Sequence, residues 1–270
     1  MDFYMHLPSN SNPNLYKDNK TSSFKVQLSQ RLELRGQWQV ALIELHYPNT
    51  LHHVQEGSNW IKILKPQTDR FAPNEKSNEN DPIEQKTFVP RGHYTTTEFF
   101  IQAVREALRP LAIPPTGGTD ADPSVYQNEE GRIMVTEFKH WPRASYEFDP
   151  ILAHQLGLPS PGPYSTHDQA IGVRPVQRTL GTPSQMFVYL NIIQDQIVGH
   201  TKAPLLRTIA TATSISFGGM TSYRAEQPFY FDLATKSFDT LEIDIRSHTG
   251  GFMPFEHGTC TVVLHFRQSS

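Results

Sequence analysis

The sequence predicts an all-β fold, an antiparallel β-sandwich with one or two short helical insertions, on three observations. Near the C-terminal end, Leu241, Ile243 and Ile245 alternate with charged residues, which is the period of a strand with one buried face. A second strand pattern at 261–267 follows a turn-rich stretch, and we expect it to tie the terminus into a sheet. The 21 prolines and 16 glycines are spread along the chain, as many short strands joined by turns require.

The central strand is predicted at 37–47, because this segment is apolar on both faces, as a strand between two layers is. The residues expected to be buried are Trp38, Val40 and Leu42 on one face and Ile43 and Leu45 on the other. Besides the two closing strands, further strands are predicted at 3–7, 22–28, 60–64, 132–138, 171–180, 186–193, 205–210, 214–217 and 229–233.

One amphipathic helix is predicted at 96–109, packed on the outside of the sandwich or over one end. Thr95 and Glu98 have the spacing of a capping box, and Pro110 is expected to end the helix. The apolar face of the helix consists of Phe100, Ile101, Val104 and Leu108. A second, short helix is predicted at 150–156, followed by Gly157.

The chain is expected to form one domain, residues 1–270. It shows no internal repeat and no linker clear enough to divide it. Long loops are predicted near 65–85, which is polar, and near 110–124, which is rich in proline and glycine.

Composition excludes several classes of protein. The net charge is −3 with no basic block, which disfavours direct nucleic-acid binding. Cys260 is the only cysteine, so an intramolecular disulfide is excluded. No apolar stretch approaches the roughly 18 residues of a membrane span, and the first residues lack the pattern of a signal peptide. We therefore expect a protein synthesised inside the cell, without a membrane span.

No metal, cofactor or catalytic site is predicted. His52 and His53 are adjacent, so on a strand their side chains would diverge, and His257 with Cys260 lacks the two further ligands of a closed zinc site. The sequence has no G-x-S-x-G turn for a nucleophile and no phosphate-binding loop. These absences predict a protein that is not an enzyme.

The order of several segments resembles a known family. The pattern L-E-L-x-G-x-W-x-V-A-L-x-E-L-x-Y-P occupies 32–48, and F-V-P-R-G-H-Y-T-T-T-E-F-F occupies 88–100. L-A-H-Q-L-G-L at 152–158, the stretch 188–207 and F-D-T-L-E-I-D-I-R-S-H-T-G at 238–250 follow. Together they resemble the minor capsid, or penton, proteins of Polinton (Maverick) elements and the related adintoviruses.

The resemblance implies a single jelly-roll subunit that forms homopentamers at the vertices of an icosahedral capsid. It implies a double-jelly-roll major capsid protein as partner, a location in the virion, and assembly in the nucleus of the host cell. The 270 residues independently suit one eight-stranded roll with embellishments.

The N-terminal segment 1–7 is the candidate subunit-contact arm, because it is more apolar than a free terminus. Its candidate contact residues are Phe3, Tyr4, Met5 and Leu7. The alternative that this segment pairs within its own sheet is left open.

Two other functions remain in competition at this point. A lectin-like or peptide-binding sandwich would present a ligand site on its loops, with Trp141 as a candidate platform for a sugar. An enzyme on a cupin-like roll would need histidine and glutamate ligands at strand spacing, and we cannot assemble that set from the sequence.

Overall fold

The computed structural model describes residues 1–65, 83–112, 125–135, 144–165, 170–211 and 216–269. Its strands pair antiparallel, and the all-β sandwich prediction is confirmed. The elements are β1 Asp2–Pro8, β2 Ser23–Glu33, β3 Trp38–Pro48, β4 Trp60–Lys65, β5 Ile83–Phe88, α1 Thr97–Ala112, β6 Val125–Gln127, β7 Arg132–Val135, β8 Ser145–Phe148, α2 Pro150–Gln155, β9 Tyr164–Ser165, β10 Ala170–Pro175, β11 Gln185–Leu190, β12 Gln196–Val198, β13 Thr201–Ala203, β14 Leu205–Ala210, β15 Met220–Arg224, β16 Phe231–Asp232, β17 Ser237–Ser247 and β18 Thr261–Gln268.

The chain divides into two compact units. Unit 1 consists of Met1–Leu51 and Pro183–Ser270, and unit 2 consists of His52–Thr182. Each unit has its own hydrophobic core. That residues 1–270 fold as one domain stays a prediction.

Unit 1 is a sandwich of two sheets. The first has the order β1-β18-β3-β15, with β16 also paired to β3, and the second has the order β14-β11-β17-β2. Both sheets join strands from the two ends of the chain: β1 and β3 pair with β18, and β2 pairs with β17. The alternation predicted for the closing strands is confirmed, since Leu241, Ile243 and Ile245 are all fully buried.

The central strand β3 departs from its predicted alternation at Ile43. Along the β3–β18 ladder, Glu44 pairs with Val263 but Leu42 pairs with Leu264, so Ile43 is an extra residue, a β-bulge. Beyond the bulge the faces exchange, and Leu45 joins Leu42 in the same core while Ile43 is only half-buried. The prediction that Leu45 lies on the opposite face from Leu42 was therefore wrong.

Unit 2 contains a core that the sequence analysis did not anticipate. Its sheets have the orders β5-β4-β8-β9 and β10-β7-β6, and α1 contacts β4, β5 and β6. The predicted apolar face of α1 is buried: Phe100, Val104 and Leu108 are inaccessible to solvent, and Ile101 is 6% exposed. This face packs into the core of unit 2, so α1 is an integral part of that unit.

The ends of the helices differ slightly from prediction. Thr96 rather than Thr95 caps α1, because its Oγ1 accepts from the Phe99 N–H at 3.3 Å. Pro110 lies inside α1, which ends at Ala112. A proline in the last turn removes one backbone hydrogen bond. The burial of Leu111 stabilises the helix beyond this proline.

Gly157 ends the short helix α2 as predicted. Its φ is +73°, and a Cβ there would lie 2.2 Å from the Arg174 carbonyl oxygen, so only glycine fits. At the other end, the Asp149 carboxylate accepts from the Ile151 N–H at 2.8 Å.

Other predicted elements are shorter or lie outside the described residues. The loop predicted at 65–85 ends in β5, and most of it, like most of 110–124, lies outside the described ranges, as do residues 136–138 and 214–215 of two predicted strands. The strand predicted at 171–180 ends at Pro175. In the described part of the chain, neither helix is long and apolar enough to cross a membrane.

Candidate functional site

The N-terminal segment forms β1, the outermost strand of the first sheet of unit 1. Asp2 pairs with Arg267, and the ladder continues without a shift to Pro8, which pairs with Thr261. The intrachain pairing that the sequence analysis left open is thus present in the structure. A role of this strand in subunit contact stays a prediction.

The side chains of β1 alternate between core and solvent. Leu7 is 1% exposed, and Phe3 and Met5 pack against the same core. The Phe3 ring stacks on Phe266 with ring centroids 4.8 Å apart and planes 3° apart. Tyr4 points the other way and is 62% exposed. Core packing accounts for three of the four candidate residues and leaves Tyr4 as the one of them that β1 exposes to solvent.

A polar network on the outer face of this sheet holds β1 in register. His265 of β18 is 8% exposed, and its Nε2 lies 3.3 Å from the Asp2 carboxylate of β1. Its Nδ1 lies 2.8 Å from the Tyr230 hydroxyl. The Tyr4 ring covers the imidazole at a centroid distance of 4.5 Å, and the Arg267 guanidinium lies 3.5 Å from the Tyr230 ring centroid.

This network is suited to fixing structure. A carboxylate, an imidazole and a phenol follow one another, but the serine or cysteine nucleophile of an acyl-transfer triad is not among them. The network could not be predicted from the sequence, because Asp2 and His265 are 263 residues apart and meet only through the β1–β18 ladder.

The outer edge of β1 is available for further pairing. Among the described residues, β18 is its only neighbour in the sheet, so the backbone groups on its other side point away from the sheet. An edge strand of 7 residues with open N–H and C=O groups is a site at which another chain can dock.

The residues weighed as metal ligands do not form a site. Cys260 is fully buried, and burial raises the pKa of its thiol to about 12, which opposes the thiolate that zinc binding requires. Within the described ranges, no three histidine, cysteine, aspartate or glutamate side chains gather closely enough to hold a metal ion. Trp141, the candidate sugar platform, lies outside those ranges.

Comparison with known proteins identifies the fold. No family model and no curated protein matches the chain. The crystal structure of the mavirus penton protein matches it with a TM-score of 0.53 and 12% identity, over 100% of both chains. A chain in the cryo-EM structure of the Sputnik virophage matches with a TM-score of 0.46 and 13% identity, over 99% of this chain and 98% of that one. The first match confirms the fold that the sequence resemblance implied: from end to end, the chain has the fold of the mavirus penton protein.

Proposed function

We propose that this protein is a minor capsid, or penton, subunit that forms homopentamers at the vertices of an icosahedral capsid. The observation that carries the proposal is the end-to-end likeness in fold to the mavirus penton protein. The sequence motifs that resemble the pentons of Polinton elements and adintoviruses support it independently. In this role the protein resides in the virion and joins a double-jelly-roll major capsid protein.

The form of unit 1 suits a ring of identical subunits. A cyclic pentamer is heterologous, so one side of each subunit must match the opposite side of its neighbour. A two-sheet sandwich has two such lateral edges, and β1 with its exposed Tyr4 lies at one of them. A stable contact of this kind buries at least about 1,000 Å². A shell subunit acts through its surfaces, which agrees with the sequence prediction that the protein is not an enzyme.

The mass of the full-length protein in solution tests the pentamer. Light scattering after size exclusion should give five times the 30.7 kDa of one chain. Co-expression with the major capsid protein should then give shells with this protein at their vertices in electron micrographs. A protein that is monomeric at all concentrations and absent from such shells would contradict the proposal, and glycan or peptide binding by that monomer would favour the lectin-like alternative.

A further inference from the structure

Unit 1 presents a second lateral edge, opposite to β1. In the first sheet β1 and β15 are the outer strands, about 14 Å apart at the usual spacing between neighbouring strands. In the second sheet the corresponding outer strand is β14. Arg207 of β14 joins these two sheet ends, because its Nε donates to the Tyr223 hydroxyl of β15 at 2.9 Å. The sandwich therefore has a β1 edge and a β14–β15 edge.

The β14–β15 edge carries a cluster with the composition of an interface centre. We call Arg207, Tyr223 and Phe229 the Arg207 patch. The guanidinium of Arg207 lies 4.2 Å from the ring centroid of Phe229 and 5.8 Å from that of Tyr223. Phe229 nevertheless remains 58% exposed. Arginine and aromatic side chains are the types most enriched among residues that dominate binding energies.

The arginine of this patch is fixed before any partner arrives. Besides the bond to Tyr223, its Nη1 donates to the Gln227 carbonyl oxygen at 3.2 Å. Ordering a long, flexible arginine side chain on binding costs conformational entropy. Here the chain's own contacts already impose that order. A preorganised cation beside an exposed ring is suited to an acidic and aromatic partner surface.

The β1 edge offers that surface. The Asp2 side chain is 68% exposed, and its contact with His265 leaves acceptor positions on the carboxylate. Tyr4, two residues along, presents its ring on the same face of β1. An aspartate can pair with Arg207 of a neighbouring subunit, and the tyrosine ring can pack on Phe229.

We infer that the Arg207 patch of one subunit receives the β1 edge of the next copy of the chain. This inference rests on the proposed pentamer and names both sides of its repeating contact. Because the two surfaces lie on opposite edges of the same sandwich, the contact is head-to-tail, as ring closure demands.

The first test replaces Phe229→Asp in the full-length protein. The new carboxylate would lie beside Arg207 of its own subunit and compete with Asp2 of the neighbour for that guanidinium, and the ring on which Tyr4 packs would be lost. We expect loss of the pentamer, with folded monomer at concentrations where the wild type is pentameric. Circular dichroism checks the fold, which should survive because Phe229 is more than half exposed.

The matched control is Phe252→Asp. Phe252 is 47% exposed and lies beneath the Arg246 guanidinium at 4.8 Å, so it repeats the phenylalanine–arginine contact of the patch. Arg246 belongs to β17, an inner strand of the second sheet. This variant should remain pentameric.

The second test uses the direction of the contact. Asp2→Ala combined with Tyr4→Ala removes both contact groups of the β1 edge and spares the patch, whereas Phe229→Asp does the reverse. Neither variant should assemble alone. Mixed together, they retain one intact pair of surfaces, so light scattering should show a species of twice the chain mass and no ring.

The outcomes separate failure of the inference from failure of the proposed function. A pentameric wild type whose Phe229→Asp variant is also pentameric overturns the inference alone. A Phe229→Asp variant that forms pentamers but no longer joins shells also overturns the inference, because the patch would then contact the major capsid protein and not a second copy of the chain. A wild type that is monomeric and does not enter shells overturns the proposed function, and the inference falls with it.

Discussion

The two units are built in opposite ways from the same chain. Unit 1 pairs the first strands with the last, so that the β1–β18 ladder joins residues more than 250 positions apart. In unit 2, the described core residues all come from one continuous stretch, His52–Thr182, and α1 contributes to that core. Unit 1 can therefore form its sheets only when both ends of the chain are present, whereas the core of unit 2 is built from a single segment.

Each unit also buries a histidine, in opposite surroundings. In unit 1, His265 lies against the Asp2 carboxylate and the Tyr230 hydroxyl. In unit 2, His53 is 6% exposed and lies against basic side chains: its ring is 4.1 Å from the ring of His93, and its Nδ1 is 3.5 Å from Nη1 of Arg178. The His265 ring therefore lies beside an acidic side chain, whereas a proton on His53 would meet like charge.

The largest expected effect is that of Leu42→Asp, in the core of unit 1. Leu42 is 1% exposed, and an unpaired carboxylate at this position costs several kcal/mol, enough to unfold the unit. We expect loss of soluble full-length protein. Val104→Asp, at a fully buried position of α1, is the matched change in unit 2.

The same pair of variants tests whether residues 1–270 fold as one domain. Limited proteolysis of refolded Leu42→Asp should leave a resistant fragment spanning 52–182 if unit 2 folds by itself. Complete digestion would instead support the single-domain prediction. Leu42→Asp protein that stays soluble and folded would show that β3 is not central.

The next effect in size is that of deleting residues 1–7. The deletion removes nearly all of β1, including the buried Leu7 and the Phe3–Phe266 stack. We expect destabilisation of unit 1 by several kcal/mol, since large buried side chains contribute about 2–5 kcal/mol each. Urea unfolding monitored by circular dichroism measures it. A deletion variant that is as stable as the wild type but monomeric would instead identify the segment as an exchangeable arm.

Local sequence patterns predicted many of the strands and helices of both units. The features that were not predicted depend on contacts between residues far apart in the sequence. The strands β17 and β18 and the helix α1 follow from their own periodicities. The bulge at Ile43 could not be predicted, because it depends on how β3 pairs with a strand more than 200 residues away. The second core was missed because the buried side chains of unit 2 are of the same types as those of a sandwich.

The candidate site was predictable in composition but not in geometry. The apolar residues of 1–7 identified the segment, yet its pairing partner is the other end of the chain. The Arg207 patch could not be predicted from the sequence. Its residues Arg207, Tyr223 and Phe229 come into contact only because the outer strands of the two sheets, β14 and β15, lie close together. The hairpin β12–β13 was also missed, because its strands are 3 residues long.

Acid should weaken unit 2 through His53. Burial, and then the charges of His93, Arg178 and His52, lower the pKa of His53 from 6.5 to about 4. Its Nδ1 also accepts from the Tyr94 N–H at 3.1 Å, which a protonated ring cannot do. Above pH 6.5 the imidazole is neutral in both the folded and the unfolded chain, and the folded state keeps its full stability. As the pH falls from 6.5 towards 4, the unfolded chain binds the proton before the folded state does, so this stability is lost.

The loss corresponds to about 3 kcal/mol at 1.36 kcal/mol per pKa unit. Urea unfolding of the wild type at pH 7 and pH 4 measures it, with His53→Asn as control. The asparagine Oδ1 can accept from the same N–H and does not titrate. If the two proteins lose equal stability between these pH values, His53 is not the acid-sensitive group.

The smallest expected effect separates the two faces of β1. Tyr4→Ala should change the unfolding free energy of the monomer by less than about 1 kcal/mol, because an exposed side chain loses little contact. Phe3→Ala, one residue away, should cost about 2 kcal/mol or more, since its ring stacks on Phe266 and packs against the core. In the proposed pentamer the order should reverse, with Tyr4→Ala weakening association more than Phe3→Ala. Concentration-dependent light scattering measures association, and urea unfolding at low protein concentration measures the fold. Equal effects of both changes on association would show that β1 contributes to the ring only by being folded, and that its exposed face is not the contact.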